Sequence, residues 1–158
     1  MRIQSEDDLH FIRLTLQEVN VLYYPSVRVQ IEASAHGFSA SMDSVWWSID
    51  DMHVFLTDLV RLEQQRAGTA VLVSMSPSEA ILSFQSVDRV GHMIAKIDLT
   101  RSVFISSGAQ SIDQHLSVAF DIDVSLLPTL IRSFEQLIPL FRGAHPFEKD
   151  IGDSALRA

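Results

Sequence analysis

The chain contains no cysteine, which removes disulfides, thiolate metal ligands and cysteine nucleophiles from consideration at once. It is also poor in base. Twelve lysines and arginines stand against twenty aspartates and glutamates, a formal charge of −8. Phosphate binding requires clustered Lys and Arg, so nucleic acid is not an expected partner, whereas a basic protein is attracted by such a surface. No apolar run approaches the roughly 18 residues of a membrane span. The first residues, "MRIQSEDDLHFIRL", are acidic where a signal peptide has its apolar core. Together these absences predict a cytoplasmic protein that meets no membrane. Signatures of catalysis are missing as well: there is no G-x-S-x-G, P-loop or G-x-G-x-x-G. The six histidines, His10, His36, His53, His92, His115 and His145, show no H-x-x-x-H or H-E-x-x-H pairing, so zinc is not expected. Neither a cofactor nor enzymatic activity is predicted.

What is present is the material of an ordinary core. Apolar residues make up 47% of the 158 residues, and a domain of that length buries roughly 70% of its unfolded surface. One domain over residues 1–143 is expected, with a mobile tail over residues 144–158, where "HPFEKDIGDSALRA" has no periodicity. Period-two alternation, the mark of a half-buried strand, covers residues 9–17, 27–33 and 38–43. The connection "VNVLYYPS" is broken by Pro25. Four later β runs span residues 69–75, 80–87, 92–99 and 111–122, with a short one at 103–106. In the last long run Ile112, Leu116, Val118, Phe120 and Ile122 point one way, and Asp113, His115, Ser117 and Asp121 the other. One sheet face should therefore be wet and acidic.

Helical spacing replaces alternation after Trp47, where Met52, Phe55, Leu56, Leu59 and Val60 share one stripe up to about Gly68. It returns near Ser125 with Leu126, Leu127, Leu130, Ile131, Phe134, Leu137 and Ile138. Pro128 sits in the tolerated first turn of that helix, whereas Pro139 kinks or ends it. The expected fold is α+β: a mainly antiparallel sheet of about six to eight strands with two amphipathic helices packed on one face. The segments "SIDDMHVFLTDLVRL" and "FDIDVSLLPTLIRSF" both run from a strand end through acidic residues into a helix. That makes an internal repeat one reading, and shared junction chemistry the other.

The stretch "DSVWWSIDD" holds both tryptophans of the chain. Ser48 followed by Asp51 has the spacing of a capping box, with Trp47 and Met52 at the two positions of a hydrophobic staple. Trp46 keeps the register of Phe38, Ala40 and Met42 if no bulge intervenes, which places it under the sheet. Trp47 staples the helix, and its outer edge is the part available to a partner. Asp50, Asp51, Asp121 and Asp123 lie at helix starts, where carboxylates suit the helix dipole. If the two starts adjoin, these four and Asp43 merge into an acidic rim that suits a basic partner. Metal binding has no supporting spacing. The segment "DRVGH" brings Asp88, Arg89 and His92 together where a hairpin turn is expected, so turn chemistry competes with a catalytic cluster.

Several segments together resemble the WapI-type immunity proteins, small bacterial domains encoded beside polymorphic toxins. They are the opening "MRIQSEDD", the "FSASMDS" strand leading into "IDDMHVFLTDLVRL", the hairpin "AVLVSMSPSEAILSF", "DRVGHMIAKI", and "LSVAFDIDVSLLPTLIRSF". The likeness extends over residues 1–141. It departs where Val124, Ser125 and Leu126 stand in place of Gln-Thr-Tyr after the aspartate that opens the last helix. The resemblance implies no catalytic residues and a protein partner.

Three functional readings follow. In the first, a non-enzymatic domain, monomer or weak homodimer, docks a basic toxin by occlusion, using Asp43, Trp47, Asp50, Asp51, Asp113, His115, Asp121 and Asp123. In the second, an enzyme or small-ligand binder uses a cleft between sheet and helices with Asp88, Arg89 and His92. In the third, the chain self-associates through an edge strand at residues 104–106.

Overall fold

In the computed structural model, which describes residues 1–88, 91–105 and 110–138, the chain adopts the α+β fold that the two periodicities predict. Its eight antiparallel strands divide into two four-stranded meanders instead of forming one sheet. Sheet A takes β1 (Arg2–Gln4), β2 (Phe11–Asn20), β3 (Ser26–Ala35) and β4 (Phe38–Ser48) in order, and α1 (Ile49–Gln65) follows. Sheet B takes β5 (Thr69–Val73), β6 (Ala80–Ser86), β7 (Met93–Phe104) and β8 (Ser111–Ile122). A 3-10 turn at Val124–Leu126 then leads into α2 (Leu127–Leu137). Each half thus has the same order of four strands and a helix, and the two similar sequence segments occupy equivalent strand-to-helix junctions.

Local chemistry accounts for the joints. His36 and Gly37 both have positive φ, 52° and 83°, between the paired Ala35 and Phe38. A two-residue hairpin loop of the primed type requires that geometry. Ser48 caps α1, its hydroxyl accepting the Asp51 N–H at 3.0 Å. At the other end Arg66 turns left-handed (φ 54°) and gives its N–H to the Leu62 carbonyl.

One contiguous core joins the halves. Alternate residues of both sheets enter it: Val27, Val29, Ile31 and Ala33 from β3, and Met93, Ala95, Ile97 and Leu99 from β7. Helix α1 carries Met52, Phe55, Leu59 and Leu62 inward and packs against β5 and α2. Phe55 is the hinge of this packing, its ring centroid 4.9 Å from Phe134 of α2 and 6.1 Å from Phe84 of β6. The short strand expected at 103–106 is instead the end of β7, which carries Val103 and Phe104. Ser106 of the expected edge strand, Pro139 and the expected mobile tail at residues 144–158 lie outside the described residues.

Candidate protein-binding surface

The junction "DSVWWSIDD" is shaped by a bulge. Val29 pairs with Val45 but Ile31 pairs with Met42, so Asp43 and Ser44 together oppose the single residue Gln30. The extra residue inverts the parity of β4. Trp47 is therefore the wholly buried ring and Trp46 the half-buried one, the reverse of the expectation for an unbroken strand. Trp46 lies on the outer face of sheet A with the Arg28 guanidinium 5.9 Å above its ring. Trp47 offers no surface to a partner and leaves the candidate set. Its place at the staple position is filled, with Met52 equally enclosed.

The helix starts divide their aspartates between two tasks. Asp51 supports the cap through its carboxylate, which accepts the Ser48 hydroxyl at 2.6 Å. Asp123 caps the 3-10 turn by accepting the Ser125 N–H at 2.6 Å. That backbone hydrogen bond, aided by the Ser125 hydroxyl, holds its carboxyl below the usual aspartate range. Asp50 is exposed and has no hydrogen bond or ion pair within the described residues. Asp121 belongs to β8 and points outward from the sheet.

The outer face of sheet B is the wet, acidic face that the alternation predicts. With Val118, Phe120 and Ile122 buried, Asp113, His115, Ser117 and Asp121 project from β8. Opposite them on β7 stand Ser102, Thr100, Asp98 and Ile94. The Ser102 hydroxyl donates to Asp113 at 2.6 Å, and Thr100 Oγ1 lies 3.0 Å from His115 Nδ1. Lys96, the lone cation of this face among the described residues, is committed to Asp98 at 2.9 Å. Partial burial would raise the Asp98 pKa, but hydrogen bonds from Ser117 and Lys96 and the charge of Lys96 together hold it below the usual range. Toward the β5 edge the face turns apolar, with Val71 and Val73 exposed. The β5 valines thus lie across β6 from Asp98, at the opposite edge of the sheet from Asp113 and Asp121.

A family model described as the Immunity protein WapI-like family matches residues 3–142. The chain belongs to the WapI-like immunity protein family. No curated protein and no solved structure matches it. Membership points to protein binding as the role of this immunity-type domain. The family's last strand-to-helix junction is here the Val124–Leu126 turn, capped by Asp123.

The remaining polar groups of this WapI-like domain are dispersed. Asp43 lines a groove of about 420 Å³ with Glu79, Thr100, Arg101 and Ser102. Asp121 lines another of about 460 Å³, with Glu6, Asp7, His10 and His36. Asp43 and Asp121 thus line separate grooves. Among the described residues no three His, Asp or Glu side chains are placed to share a metal ion. The Asp88 carboxylate accepts the N–H groups of Gly91 and His92 and meets His92 Nδ1 at 2.5 Å, which is turn chemistry on an exposed loop. Asp88 holds the His92 pKa above its ordinary value, by hydrogen bond and by charge. Arg89 lies outside the described residues.

Sequence reasoning missed one feature. The β2–β3 connection exposes Leu22, Tyr23 and Tyr24 at 66%, 91% and 76%. The available signal was a pair of tyrosines in a turn, where no core position accounts for them.

Proposed function

We propose that the chain neutralises a basic toxin domain by binding it and occluding its working surface, with the outer face of sheet B as a contact. The observation that carries this reading is the uncompensated charge of that face. Asp113 and Asp121 are exposed, and the single lysine beside them is already paired with Asp98. Charge of this kind steers encounter and selects basic partners, while the valines at the β5 edge of the same face supply apolar area for close contact. His115 stands between the two aspartates on the same face of β8, while Asp43, Asp50, Asp51 and Asp123 are further candidate contacts elsewhere on the surface. Membership in an immunity protein family supports a protein target.

The test is capture and inhibition. The immobilised protein is exposed at moderate salt to a lysate of its native source, and the retained proteins are identified by mass spectrometry. A single basic protein held one-to-one, whose toxicity is suppressed by co-expression of this chain, is the expected result. Undiminished toxicity in a large excess of the protein would sink the proposal.

A further inference from the structure

We infer that the turn formed by Leu22, Tyr23 and Tyr24, together with the adjoining start of α1, is an anchoring site for a basic side chain flanked by apolar ones on a protein partner. This rests on the protein-binding reading but assigns the anchor to a different part of the surface.

The turn is held in one shape although it carries strain. Tyr23 adopts a left-handed conformation, φ 59°, which glycine or asparagine would occupy at little cost and tyrosine does not. Hydrogen bonds fix it from both sides. The Asn20 side-chain Oδ1 accepts the Leu22 N–H at 3.0 Å, and the Tyr24 N–H donates to the Leu22 carbonyl at 2.7 Å. The Ser26 hydroxyl donates to the Tyr24 carbonyl at 2.9 Å. A connection with no further task would not need two nearly bare phenol rings on a strained backbone. Rigid tyrosines displayed in advance lose little entropy on binding, which is why they recur as anchors of interfaces.

Charge identifies the occupant. The Ile49 N–H donates to the Pro25 carbonyl at 2.9 Å, and Ser26 pairs with Ser48, so the turn lies against the first residues of α1. There Asp50 is exposed and unpaired among the described residues, and Asp51 adds a second carboxylate. Val54, one helical turn after Asp50, is 61% exposed. Neither residues 20–25 nor residues 48–52 contain a lysine or arginine. A guanidinium or ammonium group can lie over a tyrosine face and meet Asp50 at once, while Leu22 receives the neighbouring apolar side chain. Anionic lipid is disfavoured by the same carboxylates. A second copy of this chain would bring acid against acid.

The experiment follows backbone amide shifts of the full-length, isotope-labelled protein during titration with a capped Arg-Leu-Arg peptide, with Glu-Leu-Glu as control. The expected shifts centre on Leu22, Tyr23, Tyr24, Asp50 and Asp51. Affinity should fall about tenfold in the double variant Tyr23→Ser, Tyr24→Ser, the loss of roughly one cation–π contact. Asp50→Asn, which leaves the Ser48 cap intact, should weaken binding too, and it serves if the tyrosine variant fails to fold. Shifts confined to Asp113 and Asp121, an equal response to Glu-Leu-Glu, or no response would overturn the inference. So would co-sedimentation with phosphatidylglycerol vesicles, or a dimer in sedimentation that the tyrosine variant abolishes. A toxin still captured by a chain whose turn ignores the peptide would refute the anchor and leave the proposed function standing.

Discussion

The two halves of the molecule share a topology but present opposite outer faces. On sheet A the exposed side carries arginines matched by partners. Arg13 meets Glu32 at 2.7 Å, Arg28 meets Glu18 at 2.8 Å, and Arg2 lies 4.6 Å from the Phe11 ring centroid. On sheet B the corresponding side carries Asp98, Asp113 and Asp121 against Lys96 alone among the described residues. The difference shows that one scaffold, four strands and a helix, fixes only which residues face inward. The outward set is free to vary, so one face pairs its arginines within the molecule, whereas the other carries Asp113 and Asp121 without an ion pair among the described residues.

The strongest way to break this comparison is to show that the halves are separate bodies. Phe55 is fully buried between α2 and β6, so Phe55→Ala should cost about 3–5 kcal/mol. Denaturant unfolding followed by tryptophan fluorescence, which reports on sheet A, should shift together with far-ultraviolet circular dichroism. Two transitions, only one of them moved, would mean that no common core exists.

A second test sharpens the contrast between faces. Changing Asp113 and Asp121 to Asn should slow association with the captured toxin about tenfold and flatten its dependence on salt. Changing Arg13 and Glu32 together to Gln should leave association unchanged and alter stability by about 0.5 kcal/mol or less, because that pair is exposed. Equal effects on association from both faces would erase the distinction.

The junction between the halves supplies a third. Ser48→Ala removes the cap that starts α1 and should destabilise the domain by about 1 kcal/mol in chemical denaturation. A change within error would remove the cap as a determinant of the link.

The smallest effect concerns pH. Because the folded Asp98 carboxyl titrates below its ordinary 3.8, its contribution to stability is present above that value and is lost as pH falls through the depressed one. Thermal melts of Asp98→Asn should therefore lie below the parent at neutral pH and converge with it in strong acid. A gap that widens in acid would contradict the sign.

Much of this was legible in advance. Alternation located the strands because each has one buried side, and the outward row Asp113, His115, Asp121 followed from Val118, Phe120 and Ile122 turning inward. The Ser48 cap on the Asp51 N–H was readable because capping is local chemistry. The bulge at Asp43 and Ser44 was not, since an added residue leaves no mark in apolar spacing until its partner strand is known. For that reason Trp46 and Trp47 exchanged roles. The tyrosine turn escaped notice for a related reason: Pro25 announced a connection, but exposure depends on what else packs there.

By itself the sequence determined the class of fold, the positions of most strands and both helices, the cap of α1 and the sign of the surface charge. All of these depend on neighbours within a few residues or on summed composition. Only the tertiary structure decided that eight strands form two sheets, that α1 leaves one half to pack on the other, and which acids remain unpaired. Those outcomes depend on contacts between residues far apart in the chain, such as Phe55 with Phe134 and Arg13 with Glu32, and local pattern carries no record of them.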